Sequence, residues 1–157
     1  MIDDILLARA LHVLAVVHWI GGVAFVTLIV LPLARRRPSA AEGLALFEAV
    51  ERRFAAQVRA SIAIAGATGL WMTYRMNLWE RFADPRFWWM SAMVGLWLVF
   101  ALMVFVAEPI VHARLAQRAR HDPSSTLRRM TFAHTILLAL AAATVLGAVA
   151  GAQGFVF

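Results

Sequence analysis

Residues 5–33 read ILLARALHVLAVVHWIGGVAFVTLIVLPL, an apolar run that only Arg9, His12 and His18 interrupt. A helix needs about 20 consecutive apolar residues to cross the hydrocarbon core of a bilayer, so this run predicts a membrane-spanning helix. The residues before the run are acidic, where a cleavable signal peptide would carry positive charge, and the run is too long for such a signal. We therefore expect this helix to remain in the mature protein.

Three more apolar runs follow, at residues 60–76, 87–111 and 132–155. The chain is 62% hydrophobic and 15% charged, whereas a soluble domain is nearer half apolar and a quarter charged. The pattern predicts an all-α fold, with one integral membrane domain over residues 1–157. We expect a bundle of four transmembrane helices, at approximately 5–33, 40–76, 87–111 and 130–155.

The second helix is predicted to be long and to change character along its length. Ser39 and Glu42 have the spacing of a capping box, so a helix should begin here. Apolar residues then recur at helical spacing, at Leu44, Phe47, Val50 and Phe54. Because no proline intervenes before residue 60, we expect one helix that starts as an amphipathic segment at the cytoplasmic surface and then enters the bilayer.

The distribution of positive charge predicts the orientation. All 15 basic residues are arginine. The first and third connections hold eleven of them: Arg35, Arg36, Arg37, Arg52, Arg53, Arg59, Arg114, Arg118, Arg120, Arg128 and Arg129. The other side holds four: Arg9, Arg75, Arg81 and Arg86. Arginine-rich loops stay in the cytoplasm, so both termini should face outward in a multi-pass protein of a bacterial-type inner membrane. Because the arginines lie at the ends of apolar runs, their partners should be lipid head groups rather than nucleic acid.

Histidines within the apolar runs are candidate functional residues, because an ionisable group inside a membrane is costly. His12 and His18 lie in the first helix, His112 ends the third, and His134 starts the fourth. His18 lies about 9 Å deeper than His12, and the two rings point about 120° apart, so one ion cannot bind both from a single helix. For each histidine the structural alternative is a neutral ring hydrogen-bonded to a helix carbonyl or a serine.

The chain has no cysteine, so histidine and methionine are its soft ligands. These suit haem iron or copper rather than magnesium or calcium. Gly21 and Gly22 follow His18 on nearly the same face; they could leave room for a flat macrocycle, or pack against a neighbouring helix. For copper, the candidates near the outer ends of the second and third helices are Met72, Met76, Met90 and Met93, although methionine is also a routine apolar filler.

The stretch from Leu11 to Gly22 resembles the opening helix of CopD-like (copper resistance D) membrane proteins, with His12, Trp19, Gly21 and Gly22 in matching positions. Three short segments look similar as well: Arg52-Arg53-Phe54, Thr68-Gly69 and Leu127-Arg128-Arg129. The group is similar in its first helix to HemJ-type protoporphyrinogen oxidases, which are four-helix proteins that bind haem b. The resemblance implies copper uptake or haem-based redox chemistry, with His12 at the functional position. The HemJ type also uses a membrane lysine, and this chain has none.

The sequence favours a haem b membrane protein that transfers electrons, with quinone or an outer-face oxidant as the partner. The expected ligands are His12, His18, His134 and His112, supported by Glu108, Arg59, Trp19 and Gly22. Arg59 could instead extend to the cytoplasmic interface. The alternatives are a copper transport protein and an accessory subunit without a cofactor, and whether the chain is an oxidoreductase stays open. Gly147 and Gly151 form a G-x-x-x-G pair that could support a homodimer.

Overall fold

The computed structural model describes residues 2–107, 110, 119 and 121–154, with the backbone alone at positions 2 and 3. These residues form helices and short turns, and no strand occurs among them, which confirms the all-α prediction for this part of the chain. The helices are α1 (Ile2–Phe25), α2 (Leu31–Arg35), α3 (Ala40–Arg75), α4 (Trp88–Ala101) and α5 (Pro123–Ala152). A π-helical stretch joins α1 to α2 at Val26–Val30, and another extends α4 at Leu102–Ala107.

Three helical segments are long and apolar enough to cross a membrane, namely Asp4–Arg35, Pro85–Ala107 and Pro123–Ala152. Only 28%, 6% and 11% of their most apolar windows are buried inside the protein. Exposed apolar surface on this scale is stable when lipid surrounds it, and a helix satisfies its own backbone hydrogen bonds there. The segments therefore indicate a membrane protein, as the sequence predicts.

The long helix α3 is not one of these three segments. Its apolar part lies between Arg59 and Arg75, and its first half carries charge. The prediction of one continuous second helix is confirmed, since α3 runs through 36 residues. A bundle of four crossing helices, and its orientation, stay proposals.

α1 and α3 lie side by side and antiparallel. Near the start of α1, Asp4 Oδ2 accepts a hydrogen bond at 3.0 Å from the Nε of Arg75, at the end of α3. Farther along the pair, His18 Nδ1 lies 2.8 Å from the hydroxyl of Ser61. Residue numbers therefore decrease along α3 as they increase along α1, so the two helices are antiparallel. The apolar part of α3 runs beside the first half of α1, at the same depth.

The return from α2 to α3 brings two backbones together at Gly43. A Cβ atom on Gly43 would collide with the carbonyl oxygen of Ala34, and would lie 3.4 Å from a side-chain carbon of Leu127. Ala34 and Leu127 belong to a buried apolar cluster that also contains Leu31, Leu44 and Phe47. Because the obstacle is backbone, a side chain at position 43 has no space, and glycine allows α2, α3 and α5 to meet.

A second buried cluster joins α1, α3 and α4 through Trp19, Val23, Ile62 and Phe100. The indole Nε1 of Trp97 reaches across from α4 and donates to the carbonyl of Ile62 at 2.8 Å. This bond satisfies a polar group that would otherwise be costly inside an apolar bundle. It also fixes the rotation of α4 against α3.

The G-x-x-x-G pair of α5 packs within the chain. Gly147 lies under the indole of Trp88, and Gly151 lies under that of Trp89. Both glycines let the two tryptophans at the start of α4 approach the backbone of α5. The pair therefore has an intrachain role, and a homodimer stays a proposal.

Side-chain caps set where α3 and α5 begin. Ser39 accepts a hydrogen bond from the Glu42 N–H at 3.2 Å, which confirms the predicted start of α3. Asp122 accepts from the Ser125 N–H at 3.0 Å, so α5 begins at Pro123 rather than near residue 130. The sequence prediction began this helix at its apolar run, but the cap adds two polar turns before that run.

We expect Gly43→Ala to destabilise the protein by about 1–3 kcal/mol, because the added methyl group meets a backbone carbonyl that cannot turn aside. Gly95→Ala is the matched control, since a Cβ atom there has nothing within 4 Å. Reversible unfolding in mixed detergent, followed by circular dichroism, measures both. Equal losses of folding stability in the two variants would show that the close backbone contact at position 43 does not cause the destabilisation.

The cap at Asp122 should make stability depend on pH. The backbone N–H of Ser125 and the hydroxyl of Ser124 hold the pKa of this carboxyl below its ordinary value of 3.8. The charged cap therefore contributes its full share of folding stability above pH 3.8, and this stabilisation is lost as the pH falls through the lowered pKa. We expect the difference in melting temperature between wild type and Asp122→Asn to shrink between about pH 5 and about pH 2. A difference in melting temperature that stays the same at every pH would contradict a charge-dependent cap.

Candidate metal site between the helices

Two π-helical stretches border one cavity between the helices. Val26 begins the first stretch, and Met103 and Val104 belong to the second. All three residues line a cavity of about 100 Å³. π-helical turns are rare and occur frequently at functional sites. Two of them at one cavity single out this place in the molecule.

Proline explains the first π-helical stretch. Pro32 has no N–H, and its ring crowds the carbonyl of the residue four positions earlier, which is Leu28. Leu28 lies in the middle of Val26–Val30, so a wider turn relieves the crowding. Pro109 has the same spacing in sequence from the second stretch. This spacing is the signal that sequence reasoning could have used to find the site.

The cavity lies where α1, α3, α5 and the extension of α4 meet. Apart from Glu51 and His134, its lining is apolar and includes Phe47, Phe54 and Phe100. Glu51 and Met103 are both exposed, so they lie toward its outer edge. The site thus offers one imidazole, one thioether and one carboxylate in apolar surroundings.

His134 contributes the imidazole. Its Nδ1 lies 2.9 Å from the carbonyl oxygen of Met130, and its ring packs edge-on against Phe47 with centroids 5.6 Å apart. A carbonyl oxygen only accepts, so Nδ1 carries the proton and Nε2 keeps its lone pair. No described residue hydrogen-bonds this Nε2. Metal-binding histidines are typically held in this way, with one ring nitrogen donating to a carbonyl and the other free.

His12 is anchored in the same way against α3. Its Nδ1 lies 3.0 Å from the Ala65 carbonyl oxygen and 3.1 Å from the Thr68 hydroxyl, whose own proton is donated to a helix carbonyl. The ring lies over Gly69, where a Cβ atom would be 3.3 Å from Cε1. Nε2 of His12 is therefore the unprotonated nitrogen. The match at Thr68-Gly69 in the family resemblance has a direct structural meaning, since both residues hold this ring.

His18 is more exposed than the other two rings. Its Nδ1 lies 2.8 Å from the Ser61 hydroxyl, and its ring centroid is 5.4 Å from that of Phe54. A hydroxyl can donate or accept, so this contact does not fix the tautomer. All three histidines thus make the carbonyl or serine contact that the structural alternative predicted. In His12 and His134 that contact places the proton on Nδ1 and leaves the Nε2 lone pair available.

The three histidines do not converge on one centre. His12 is held at Ala65 of α3, and His134 contacts Phe47 of the same helix. These two positions are 18 residues apart, which corresponds to about 27 Å along α3. The two rings therefore cannot be the axial ligands of one iron. In the described part of the chain, no group of three or more histidine or acidic side chains is arranged to hold a metal ion.

A haem does not fit the cavity beside His134. The Phe54 ring occupies the space next to Gly22, so this glycine packs against α3 rather than making room for a macrocycle. Pockets for larger ligands measure about 300–1,000 Å³, and this cavity measures about 100 Å³.

The methionines chosen from the sequence differ in burial, and a fifth lines the cavity. Met90 is buried, Met76 is exposed, and Met72 and Met93 are half-buried. The sequence does not single out Met103 as a candidate copper ligand, because a methionine inside an apolar run ordinarily fills space in the core. The structure places Met103 in the lining of the His134 cavity.

The remaining predicted site residues have separate surroundings. Trp19 is buried and packs edge-on against Phe100 at 4.8 Å, and its Nε1 has no hydrogen-bond partner among the described residues. Arg59 is half-buried and has an interaction partner. Glu108 and His112 lie outside the described residues, so the structure does not place them.

No known protein family, no curated protein and no solved structure matches this chain. The resemblance to CopD-like proteins thus rests on the quoted residues, foremost His12, Trp19, Gly21 and Gly22. It stays a proposal, and function is inferred from the geometry of the site.

The hydrogen bonds predict the tautomers of two histidines. In ¹⁵N-histidine-labelled protein at neutral pH, we expect His12 and His134 to carry the proton on Nδ1 with Nε2 bare, because each Nδ1 faces a carbonyl oxygen. Solid-state NMR distinguishes the two nitrogens, and His12→Asn and His134→Asn assign the signals. Protonated Nε2 in either ring would remove that residue as a metal ligand.

Proposed function

We propose that this chain is a membrane copper-binding protein of the copper-transport type, with His134 and Met103 as ligands. The observation that carries the proposal is the cavity of about 100 Å³, which these two residues line and two π-helical stretches border. Imidazole and thioether suit Cu(I), which accepts few and soft ligands. The ordered tautomer of His134 leaves its Nε2 as a lone-pair donor.

The lining explains how such a site would discriminate between ions. Phe47, Phe54 and Phe100 make the cavity apolar, so a strongly hydrated divalent cation would lose its water without replacement. Glu51 lies in the same lining and adds a negative charge that attracts a cation toward the ligands. Glu51 already has an interaction partner, and its role would be to attract rather than to hold the ion.

The other histidines suggest a path along the bundle. His12 and His18 contact α3 at Ala65 and Ser61, and the His18 ring contacts Phe54, which also lines the cavity. The three imidazoles thus occupy successive levels from one end of α1 toward the His134 cavity. In this proposal the three imidazoles are separate binding positions for the cargo Cu(I), because their spacing does not let them hold one ion together.

A haem b electron-transfer protein is the second candidate, and a specific observation at His12 favours it. The hydrogen bond to Ala65 fixes the proton of His12 on Nδ1, and the ring packs against Gly69. His12 is also the position that the family resemblance marks as functional. The donor chemistry of this ring fits haem iron. The volume of the His134 cavity does not fit a haem, so a haem would use His12 or His18 instead.

Copper titration against a Cu(I)-specific chelator tests the first proposal. Detergent-purified wild type should bind copper, and His134→Ala should weaken the affinity by at least ~10-fold, a loss seen even for changes beyond the ligands themselves. Met103→Leu should weaken it as well, since the swap keeps the volume and removes the sulfur. His121→Ala is the matched control, because this exposed histidine precedes α5 and lies outside the cavity lining.

The same preparation separates the two candidates. A Soret band with sharp reduced bands, a positive pyridine haemochrome and loss of colour in His12→Ala would establish haem b. If copper binding were also unchanged in His134→Ala and Met103→Leu, the copper proposal would be overturned. Colourless protein that binds copper through both residues is the expected result.

A further inference from the structure

A second cavity lies at the α2–α3 turn, and no histidine lines it. It measures about 270 Å³ and lies between this turn and the start of α5. Three guanidinium-bearing residues line it, namely Arg35, Arg37 and Arg128. We call this cavity the arginine pocket. It plays no part in the proposed copper site.

The positive charge of the arginine pocket is only partly neutralised by nearby acids, since Arg128 interacts with the charge of Asp122. Arg35 and Arg37 form no ion pair with any described carboxylate. Two carboxylates lie close by, but each is engaged in a cap. Glu42 accepts from the Ser39 hydroxyl at 3.0 Å, and Asp122 accepts from the Ser124 hydroxyl at 2.8 Å. The pocket keeps a net positive charge, because three arginines line it and only two carboxylates lie nearby.

Two helix N-termini add to this field. Ser39 and Ser124 line the pocket, and they cap or begin helices of 36 and 30 residues. Each helix carries partial positive charge at its N-terminus, which favours a bound anion. The serine hydroxyl protons are used in the caps, so recognition of an anion would fall to the arginines.

The floor of the pocket is rigid. Ala34 is 1% exposed and Leu127 is 5% exposed, and both also line the cavity. The backbone contact at Gly43 holds them together. The three arginine side chains are exposed and rise from this packed base.

The pocket lies at the ends of two membrane segments. Asp4–Arg35 ends at Arg35, and Pro123–Ala152 begins beside Ser124. This is the level at which lipid phosphates meet a membrane protein. Basic pockets between helices at this level bind anionic head groups, and arginine matches phosphate oxygens with two parallel hydrogen bonds.

We propose that the arginine pocket binds a phosphate group, supplied by an anionic phospholipid head group or by a free phosphate compound. The shared chemistry is a tetrahedral oxyanion held by Arg35, Arg37 and Arg128. Zwitterionic lipid should bind poorly, because its ammonium group brings a positive charge to a positive pocket. Binding here is independent of copper or haem.

The test compares two triple variants of equal charge. Arg35→Gln/Arg37→Gln/Arg128→Gln removes the pocket, and Arg36→Gln/Arg53→Gln/Arg129→Gln removes three exposed arginines that do not line it. Native mass spectrometry in detergent measures the binding of phosphatidylglycerol, phosphatidylcholine and inorganic phosphate. The pocket variant should bind phosphatidylglycerol at least ~10-fold more weakly than wild type, and the control less than ~3-fold more weakly.

The three probes separate the two sources of phosphate. Strong binding of phosphatidylglycerol without inorganic phosphate assigns the pocket to lipid, and competition by inorganic phosphate assigns it to a free compound. Equal weakening in both triple variants, or equal binding of phosphatidylcholine, would overturn the proposal. Circular dichroism and gel filtration check that each variant is folded, and the single Arg37→Gln variant repeats the test with the least change.

Discussion

The close antiparallel contact between α1 and α3 is the constraint on which the rest of the structure depends. Glycine makes it possible on both helices, with Phe54 against Gly22 at one level and His12 against Gly69 at another. Helices in lipid gain little from burying apolar surface against each other, so small residues and interhelical hydrogen bonds hold them together. The same contact positions His12 and His18 against hydrogen-bonding groups on α3.

This contact also determines what each half of α3 lies against. The polar first half of α3 lies beside the end of α1 and beside α2, where the arginine-rich connections begin. Its apolar half lies beside the part of α1 that carries His12. Inside the bundle the His134 ring is held by a hydrogen bond, whereas the buried Nε1 of Trp19 has no partner among the described residues.

Local signals predicted much of the fold, and packing between helices decided what they missed. The capping pair Ser39 and Glu42 located the start of α3 because capping depends on neighbouring residues alone. Gly22 could not be assigned from sequence, since its role depends on Phe54 from another helix. Met103 was missed for the same reason, and hydropathy gives no indication of a π-helical turn. The histidines and the different depths of His12 and His18 were found because polarity inside an apolar run is visible in sequence, whereas the groups on α3 that hold these two rings are not.

X-ray absorption spectroscopy of the copper-loaded protein tests the central claim most directly, because it reports which atoms surround the ion. The account predicts nitrogen scattering with the outer-shell pattern of imidazole, together with a sulfur scatterer at thioether distance. The sulfur signal should disappear in Met103→Leu, and the imidazole pattern should weaken in His134→Ala. A spectrum of oxygen and nitrogen alone, unchanged in both variants, would contradict a copper site between the π-helical stretches.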